Sequence, residues 1–374
     1  MLISEVNVYP LEIPFRGEFH ISRGKVGGGS AKRTVVLVKM TDEDGNVGWG
    51  EGSPSYLWSS ETIESVVSTL RNYLIPAIIG APVDDIDGLH QRMERATGPA
   101  VSTAHPIAKC ALDTALHDLI GHKRGLNIAQ LIGYQRADSV AMSWTVSAKS
   151  LEKAEDAIRE GLDAGYAHFN VKLGVEPRYD VQLCELVKKL APNSFLWGDA
   201  NGGYTLAQAS RLITSLEDAG LDLMEQPFPS NHWSAWREFK WRTSIPLGAD
   251  EPILCSRDLI EWVRQDLIDV YVAKVTRTGG LFPARLSLEF AEHAGLTTVF
   301  SGLTETSVGL AAHLQLACAF GNPLPCAWNG PQFLADDVTV DRLHVENGRL
   351  KLPSGPGLGV TIDEEKVSYY SVEK

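Results

Sequence analysis

The sequence predicts an α/β protein, a (β/α)8 TIM-like barrel behind an N-terminal α+β capping domain. Three observations carry that expectation. Short apolar runs recur from about residue 140 onward, eight in all. Amphipathic segments separate them, several closing on a glycine. Successive runs also end in residues able to do chemistry: FNVKLG carries Lys172, FLWGDAN Asp199, LDLMEQP Glu225, IPLGADE Asp250 and DVYVAKV Lys274. The gaps between these residues are 27, 26, 25 and 24, each the size of one β/α unit.

The chain opens with an antiparallel section. A strand is expected from about Ile3 to Leu11, and TVVLVKMTDEDGNVGWGE reads as a hairpin turning at Asp44, Gly45 and Asn46. Between them, RGEFHISRGKVGGGS carries glycines at 27, 28 and 29 and is expected to be a mobile loop. A second loop, GSPSYLWSS, follows Glu51. Helical spacing then covers roughly 60–79, 86–96 and 105–124, closing at Gly125. The capping domain is thus expected over 1–125, with substrate-covering loops near 16–30 and 52–60.

The eight runs of the barrel, expected over 126–330, are VAMSWTV, HFNVK, SFLWGD, LDLME, IPLGAD, DVYVAK, TTVFSG and LPCAWNG. Near-continuous apolarity suits parallel strands buried on both faces. An open doubly wound sheet is disfavoured, because no GxGxxG or phosphate-loop turn follows the first run. Reactive residues at the ends of many strands also need a closed rim to meet. The tail, 331–374, contains RLHVENGRLKL, a hairpin turning at Asn347 and Gly348, and is expected to pack back on the barrel and capping domain.

Composition excludes several function classes. With 44% hydrophobic and 22% charged residues the chain reads as a soluble globular protein. No apolar run approaches the roughly 18 residues of a membrane span, and the N-terminus alternates like a strand rather than a signal peptide. A formal charge of −13 argues against nucleic acid or anionic membrane as partner. Five scattered cysteines without a CxxC pair fit reduced packing thiols in a cytoplasm.

Asp199, Glu225 and Asp250 end three consecutive strands, so their carboxylates converge on the barrel rim. Converging carboxylates repel unless a cation neutralises them, and an all-oxygen set suits Mg²⁺. Lys172 lies one strand before this set and Lys274 one strand after it, so the two amines flank the metal. A nearby dication is expected to depress their pKa values and free a neutral amine for proton transfer.

The order lysine, GDAN, MEQP, ADE and VAKVTRTGG resembles the enolase superfamily. The sixth-strand lysine makes it similar to the muconate-lactonising branch of the mandelate racemase/muconate lactonizing enzyme family. The resemblance spans essentially the whole chain. It implies that a substrate carboxylate meets Mg²⁺ held by Asp199, Glu225 and Asp250, while a lysine removes the α-proton to give an ene-diolate.

Two positions depart from the branch pattern. Asn170 stands where a second lysine is usual, and Ala327 stands where the muconate enzymes carry an acid. The racemase-like sugar-acid branch uses a seventh-strand histidine, whereas His313 falls inside the following helix and reads as a packing residue. Asn170, Asn201, Glu305, Trp328, Tyr56, Trp58 and His20 are candidate substrate contacts, the aromatics suiting an apolar group or a cationic nitrogen.

The expected activity is racemisation or epimerisation of an amino-acid derivative: N-substituted, dipeptide, proline-like or betaine-like. Alternatives are β-elimination by the same site in a hydroxyproline-type dehydratase, muconate-type cycloisomerisation, and sugar-acid dehydration. A Schiff-base aldolase is an alternative of another class. The partners expected are a small carboxylate substrate and further copies of the chain in a homo-oligomer.

Overall fold

The computed structural model describes residues 1–374 except Gly29, Ser102, Tyr134 and Lys374. At the N-terminus, Ile3–Pro14, Lys32–Asp42 and Val47–Gly52 form a three-stranded antiparallel sheet with Lys32–Asp42 in the middle. Helix Pro106–Arg124 lies directly on the last strand, and the sequence VGWGEG shows why it can. A Cβ at Gly48, Gly50 or Gly52 would stand 2.2, 2.2 or 2.6 Å from the carbonyl oxygens of Ala115, Ala111 or Ile107. The period of two turns the glycines toward the helix and Trp49 and Glu51 away from it.

Seven parallel strands follow, adjacent in chain order: Ser143–Val146, His168–Lys172, Leu196–Asp199, Leu223–Glu225, Leu247–Ala249, Val270–Ala273 and Thr297–Phe300. The predicted eighth strand is reduced to two single-residue parallel bridges. Cys326 pairs with Met142 and Ala327 with Ser301, so 326–327 still joins the seventh strand to the start of the first. Pro325, which lacks a backbone donor, limits the pairing. Trp197, Leu223, Val270, Val272, Val299 and Ala327 pack together as the apolar filling inside the barrel.

The stretch before the second strand, expected as a loop, contains a short hairpin. Phe19–Ile21 pairs antiparallel with Gly24–Gly27, and Gly29 lies outside the described residues. Phe19 is buried and stacks on Phe333 at 4.5 Å, so apolar anchors override the glycine-rich composition. The tail turns at Asn347 and Gly348 as predicted, but strand Arg349–Lys351 takes Ser139–Ala141 as its main partner rather than the preceding arm. No helix among the described residues is long and apolar enough to cross a membrane.

Candidate active site

Parallel register places the chemistry. Lys172 pairs with Asp199, and Asp199 with Glu225, across adjacent strands. Asp250 follows the fifth strand directly, and Lys274 follows the sixth. The carboxylates therefore form a row with one lysine at each end. Lys172 Nζ donates to Asp199 Oδ2 at 2.5 Å, and Lys274 Nζ donates to Asp250 Oδ2 at 2.5 Å. Glu225 occupies the middle of the row. Its Oε2 accepts from the indole Nε1 of Trp197 at 2.7 Å, while its Oε1 has no hydrogen-bond partner.

Burial sets the electrostatics. The three acids and Lys274 are almost wholly enclosed, as is Arg277, whose Nε stands 2.9 Å from Asp250 Oδ1 without hydrogen-bond alignment. Desolvation and the neighbouring Asp199 push Glu225 well above the usual carboxylate range. Burial would raise Asp250 too, but Arg277 and Lys274 hold it below its ordinary value. Burial works against the charge of Lys172, yet Asp199 and Glu225 prevail and hold the amine above its ordinary value. The acids by themselves thus favour the protonated amine of Lys172. A free amine there requires their charge to be taken up elsewhere.

The backbone around the row is tightly specified. Asn201, Gln226 and Thr304, each just beyond a strand end, adopt the left-handed conformation with φ of 44°, 45° and 65°. Non-glycine residues hold such angles only where their surroundings impose them. Asn201 N donates to Asp199 Oδ1 at 2.9 Å, and Gln226 Oε1 accepts from Asp250 N at 3.1 Å.

The residues fit a divalent cation. Glu225 Oε1, Asp250 Oδ1, Asn201 Oδ1 and Glu251 Oε2 are buried oxygens without a hydrogen-bond partner, a hard donor set drawn from two of the three acids and two neighbours, with Asp250 Oδ1 also facing Arg277. Among the described residues no group of three His, Cys, Asp or Glu forms a ready-made cation cluster. Each outer acid is instead committed to an ammonium.

The other predicted contacts divide. Asn170 is buried beside Lys172, its Nδ2 3.5 Å from Trp197 O, and Asn201 also reaches Glu251 Oε1 at 3.3 Å. Glu305 does not stand open to a substrate ammonium. Thr276 Oγ1 and Leu303 N donate to it at 2.9 and 2.8 Å within the protein. Trp328 is buried against Phe300 and His313, with Nε1 donating to Ser301 O at 3.1 Å. Tyr56 is 76% exposed, and no ring contact joins it to Trp328. Trp58 is buried on Phe19, and its carbonyl accepts from Arg277 at 2.8 Å. His20 is half-buried, its backbone docked on Ser147. Of these aromatics, Trp58 also lines the groove beside the row, Trp328 is buried and Tyr56 is mostly exposed.

Sequence reasoning missed Trp197 and Arg277. Both carry a spacing signal: Trp197 shares a strand face with Asp199 two residues on, and Arg277 stands one helical turn from Lys274. A groove of about 290 Å³ beside the row is lined by Arg23, Trp58, Glu61, Glu251, Arg277 and Leu303 among others. A larger cleft of about 530 Å³, reached by His90, Lys109 and Phe282, touches neither the acids nor the lysines.

A barrel with acids on three successive strands and lysines to either side defines an enzyme of the enolase superfamily. Residues 152–366 match the enolase C-terminal domain-like family. Residues 4–133 match the N-terminal domain of the mandelate racemase/muconate lactonizing enzyme family, and the chain belongs to that family. It is 30% identical to a chloromuconate cycloisomerase of Cupriavidus necator over 377 residues, 99% of each chain. To the N-succinyl-L-Arg/Lys racemase of Bacillus cereus it is 27% identical over 374 residues, 100% of this chain and 98% of that one. Two solved structures, the 2-chloromuconate cycloisomerase of Rhodococcus opacus 1CP and the same racemase, superpose with TM-scores of 0.92 at 28% and 27% identity. They cover 100% of this chain and 100% and 98% of their own. By their names these relatives are isomerases, cycloisomerases and a racemase.

Proposed function

We propose that the chain is a Mg²⁺-dependent racemase or epimerase of an N-substituted amino acid. One observation carries the reading: two enclosed lysines, Lys172 and Lys274, at opposite ends of one carboxylate row. Asp199, Glu225 and Asp250 would hold the cation. When bound, it supplies fixed positive charge that takes up the acids' charge and steadies the substrate carboxylate.

The chain's own residues do the rest. One lysine, as the neutral amine, takes the α-proton; the C–H electron pair moves into the carboxylate, giving an ene-diolate. The opposite ammonium returns a proton to the other face, and the configuration inverts. Positioned proton transfer of this kind contributes about 10² to 10⁴ in rate. Trp197 fixes one oxygen of Glu225, leaving the other for the cation.

Likeness to the N-succinyl-L-Arg/Lys racemase over the whole chain supports an N-acyl amino acid as substrate. Asn170, neutral and buried two residues before Lys172, carries both a donor and an acceptor that suit an amide. The second reading, cycloisomerisation of a muconate-type diacid, is supported by the chloromuconate relatives. Incubation with N-succinyl amino acids, dipeptides, prolines, betaines and muconates in D2O separates the two. The racemase reading predicts α-deuteration and inversion of an amino-acid derivative; lactone formation from a muconate without such exchange would overturn it.

A further inference from the structure

Lys274 occupies an awkward backbone position. It is the residue before the short helix Val275–Thr278, where an oxygen-bearing side chain normally accepts from the first free N–H groups, and an ammonium cannot accept. The acceptor comes from 38 residues further on. Val275 N donates to His313 Nε2 at 3.1 Å, and His313 Nδ1 lies 2.8 Å from Gly309 O. A carbonyl only accepts and a backbone amide only donates, so these two partners fix one tautomer, with hydrogen on Nδ1 and the lone pair on Nε2. His313 is fully buried and has no outlet to solvent.

The connection continues into the capping domain. Glu51 accepts from Gly309 N at 2.9 Å and from Thr306 N at 3.1 Å, fixing the start of helix Ser307–Phe320 on which His313 sits. A hydrogen-bonded path therefore runs from Glu51 through Gly309 and His313 to the amide that follows Lys274. The other lysine needs no such help: Lys172 belongs to a strand, and Leu173 N donates to Asp199 O at 2.8 Å in the ladder.

We infer that His313 is a positioning residue for Lys274: it holds the backbone that aims this amine and has no part in holding Lys172. The inference rests on the reading of the two lysines as the acid and base. Because misplacement of a catalytic group by about 1 Å can cost on the order of 100-fold in rate, the effect is measurable.

Two polar replacements in the full-length chain separate the bonds. His313→Gln keeps an acceptor near the Nε2 position and loses the donor to Gly309, whereas His313→Asn keeps a donor to Gly309 and leaves Val275 N without an acceptor. Crystal structures of both variants need no substrate. The separation of Lys274 Nζ from Asp250 Oδ2, 2.5 Å here, is expected to lengthen in the Asn variant and persist in the Gln variant. Exchange in D2O is then followed for N-succinyl-L-lysine and N-succinyl-D-lysine separately. The Asn variant is expected to lose about 100-fold in kcat for one enantiomer with KM little changed. The other enantiomer, and the Gln variant with both, should stay near the wild type. Equal behaviour of the two variants in both measurements, or an equal loss for both enantiomers, overturns the positioning role. If the wild type exchanges neither enantiomer of N-succinyl-lysine nor any other amino-acid derivative of the screen, the amino-acid reading falls, and the pair of structures still decides the role of His313.

Discussion

The two ends of the carboxylate row are built by different means. At the Lys274 end everything is internal: Arg277 and His313 are buried, and Thr278 Oγ1 donates to Lys274 O at 3.0 Å. The neighbouring helix Leu281–His293 begins with Leu281 N donating to the buried Asp113 of the capping domain at 2.5 Å. At the Lys172 end lies a hairpin anchored by buried Phe19 and Ile21 and tied to the barrel largely through backbone oxygens. Ser22 Oγ donates to Ala200 O at 2.8 Å and Arg23 Nε to Asn201 O at 2.8 Å, while His20 and Ser147 exchange two bonds. A buried polar network fixes one amine, and near the other a latch of a few part-buried bonds backs the hairpin's apolar anchors. The difference teaches that the Lys274 side is the more tightly specified of the two, its backbone and side chains held by buried hydrogen bonds.

The largest expected effect comes from the middle of the row, which both ends share. Glu225→Gln, or removal of divalent cation by chelation, should lower α-proton exchange by roughly 10³-fold or more. Added Mg²⁺ should restore the chelated wild type and raise its melting temperature, since a ligand that binds only the folded chain stabilises it. A chelated enzyme with full activity would remove the row from the mechanism.

On the Lys274 side, Asp113 accepts from His90 Nε2 at 2.6 Å and stands 3.4 Å from His117 Nδ1. Gly280 tolerates no side chain beside it, a Cβ there falling 2.3 Å from Asp113 Oδ2. Asp113→Asn should cost about 3 kcal/mol in urea unfolding, because a buried ion pair loses one partner. A loss below about 1 kcal/mol would mean that the Lys274 side does not depend on this contact.

The same side makes a pH prediction. Glu61 accepts from Ile107 N and Ala108 N at the start of helix Pro106–Arg124, yet burial raises its pKa from 4.5 to about 7. Between those values the folded chain keeps a proton that the unfolded chain releases. The associated stability is therefore full below about pH 4.5 and is lost as pH rises through about 7. At 1.36 kcal/mol per unit the change is about 3 kcal/mol. Glu61→Gln should flatten that part of the stability profile, and an unchanged slope would refute the assignment.

Smaller effects belong to the latch. Ser147→Ala removes both bonds to His20 and should raise KM a few-fold with kcat little changed, as expected when the hairpin rather than the chemistry is loosened. Tyr56→Ala, at a mostly exposed ring, should change either constant by less than about twofold. A large effect would place that ring over the substrate after all.

What was legible in the sequence follows the same division. The acids and lysines were readable because each ends an apolar run and the runs repeat at nearly constant spacing, a local signal. The hairpin over 19–27 was not, since Phe19 and Ile21 act through distant partners such as Phe333 while the glycines around them read as a loop. The eighth strand was read too generously, because apolar runs do not report how Pro325 limits pairing. His313 read as packing because its partner, Val275 N, is remote in sequence. The roles given to Trp328, Glu305 and Tyr56 depended on which way side chains point, which spacing alone leaves open.

The most direct test of the account is α-proton exchange in D2O by Lys172→Ala and Lys274→Ala, with each enantiomer of the substrate found in the screen supplied separately. The account predicts that both variants lose racemisation while each still deuterates one enantiomer, and that the two variants retain opposite ones. Retention of the same enantiomer by both variants, or racemisation surviving in either, would contradict the placement of two working amines at opposite ends of the carboxylate row.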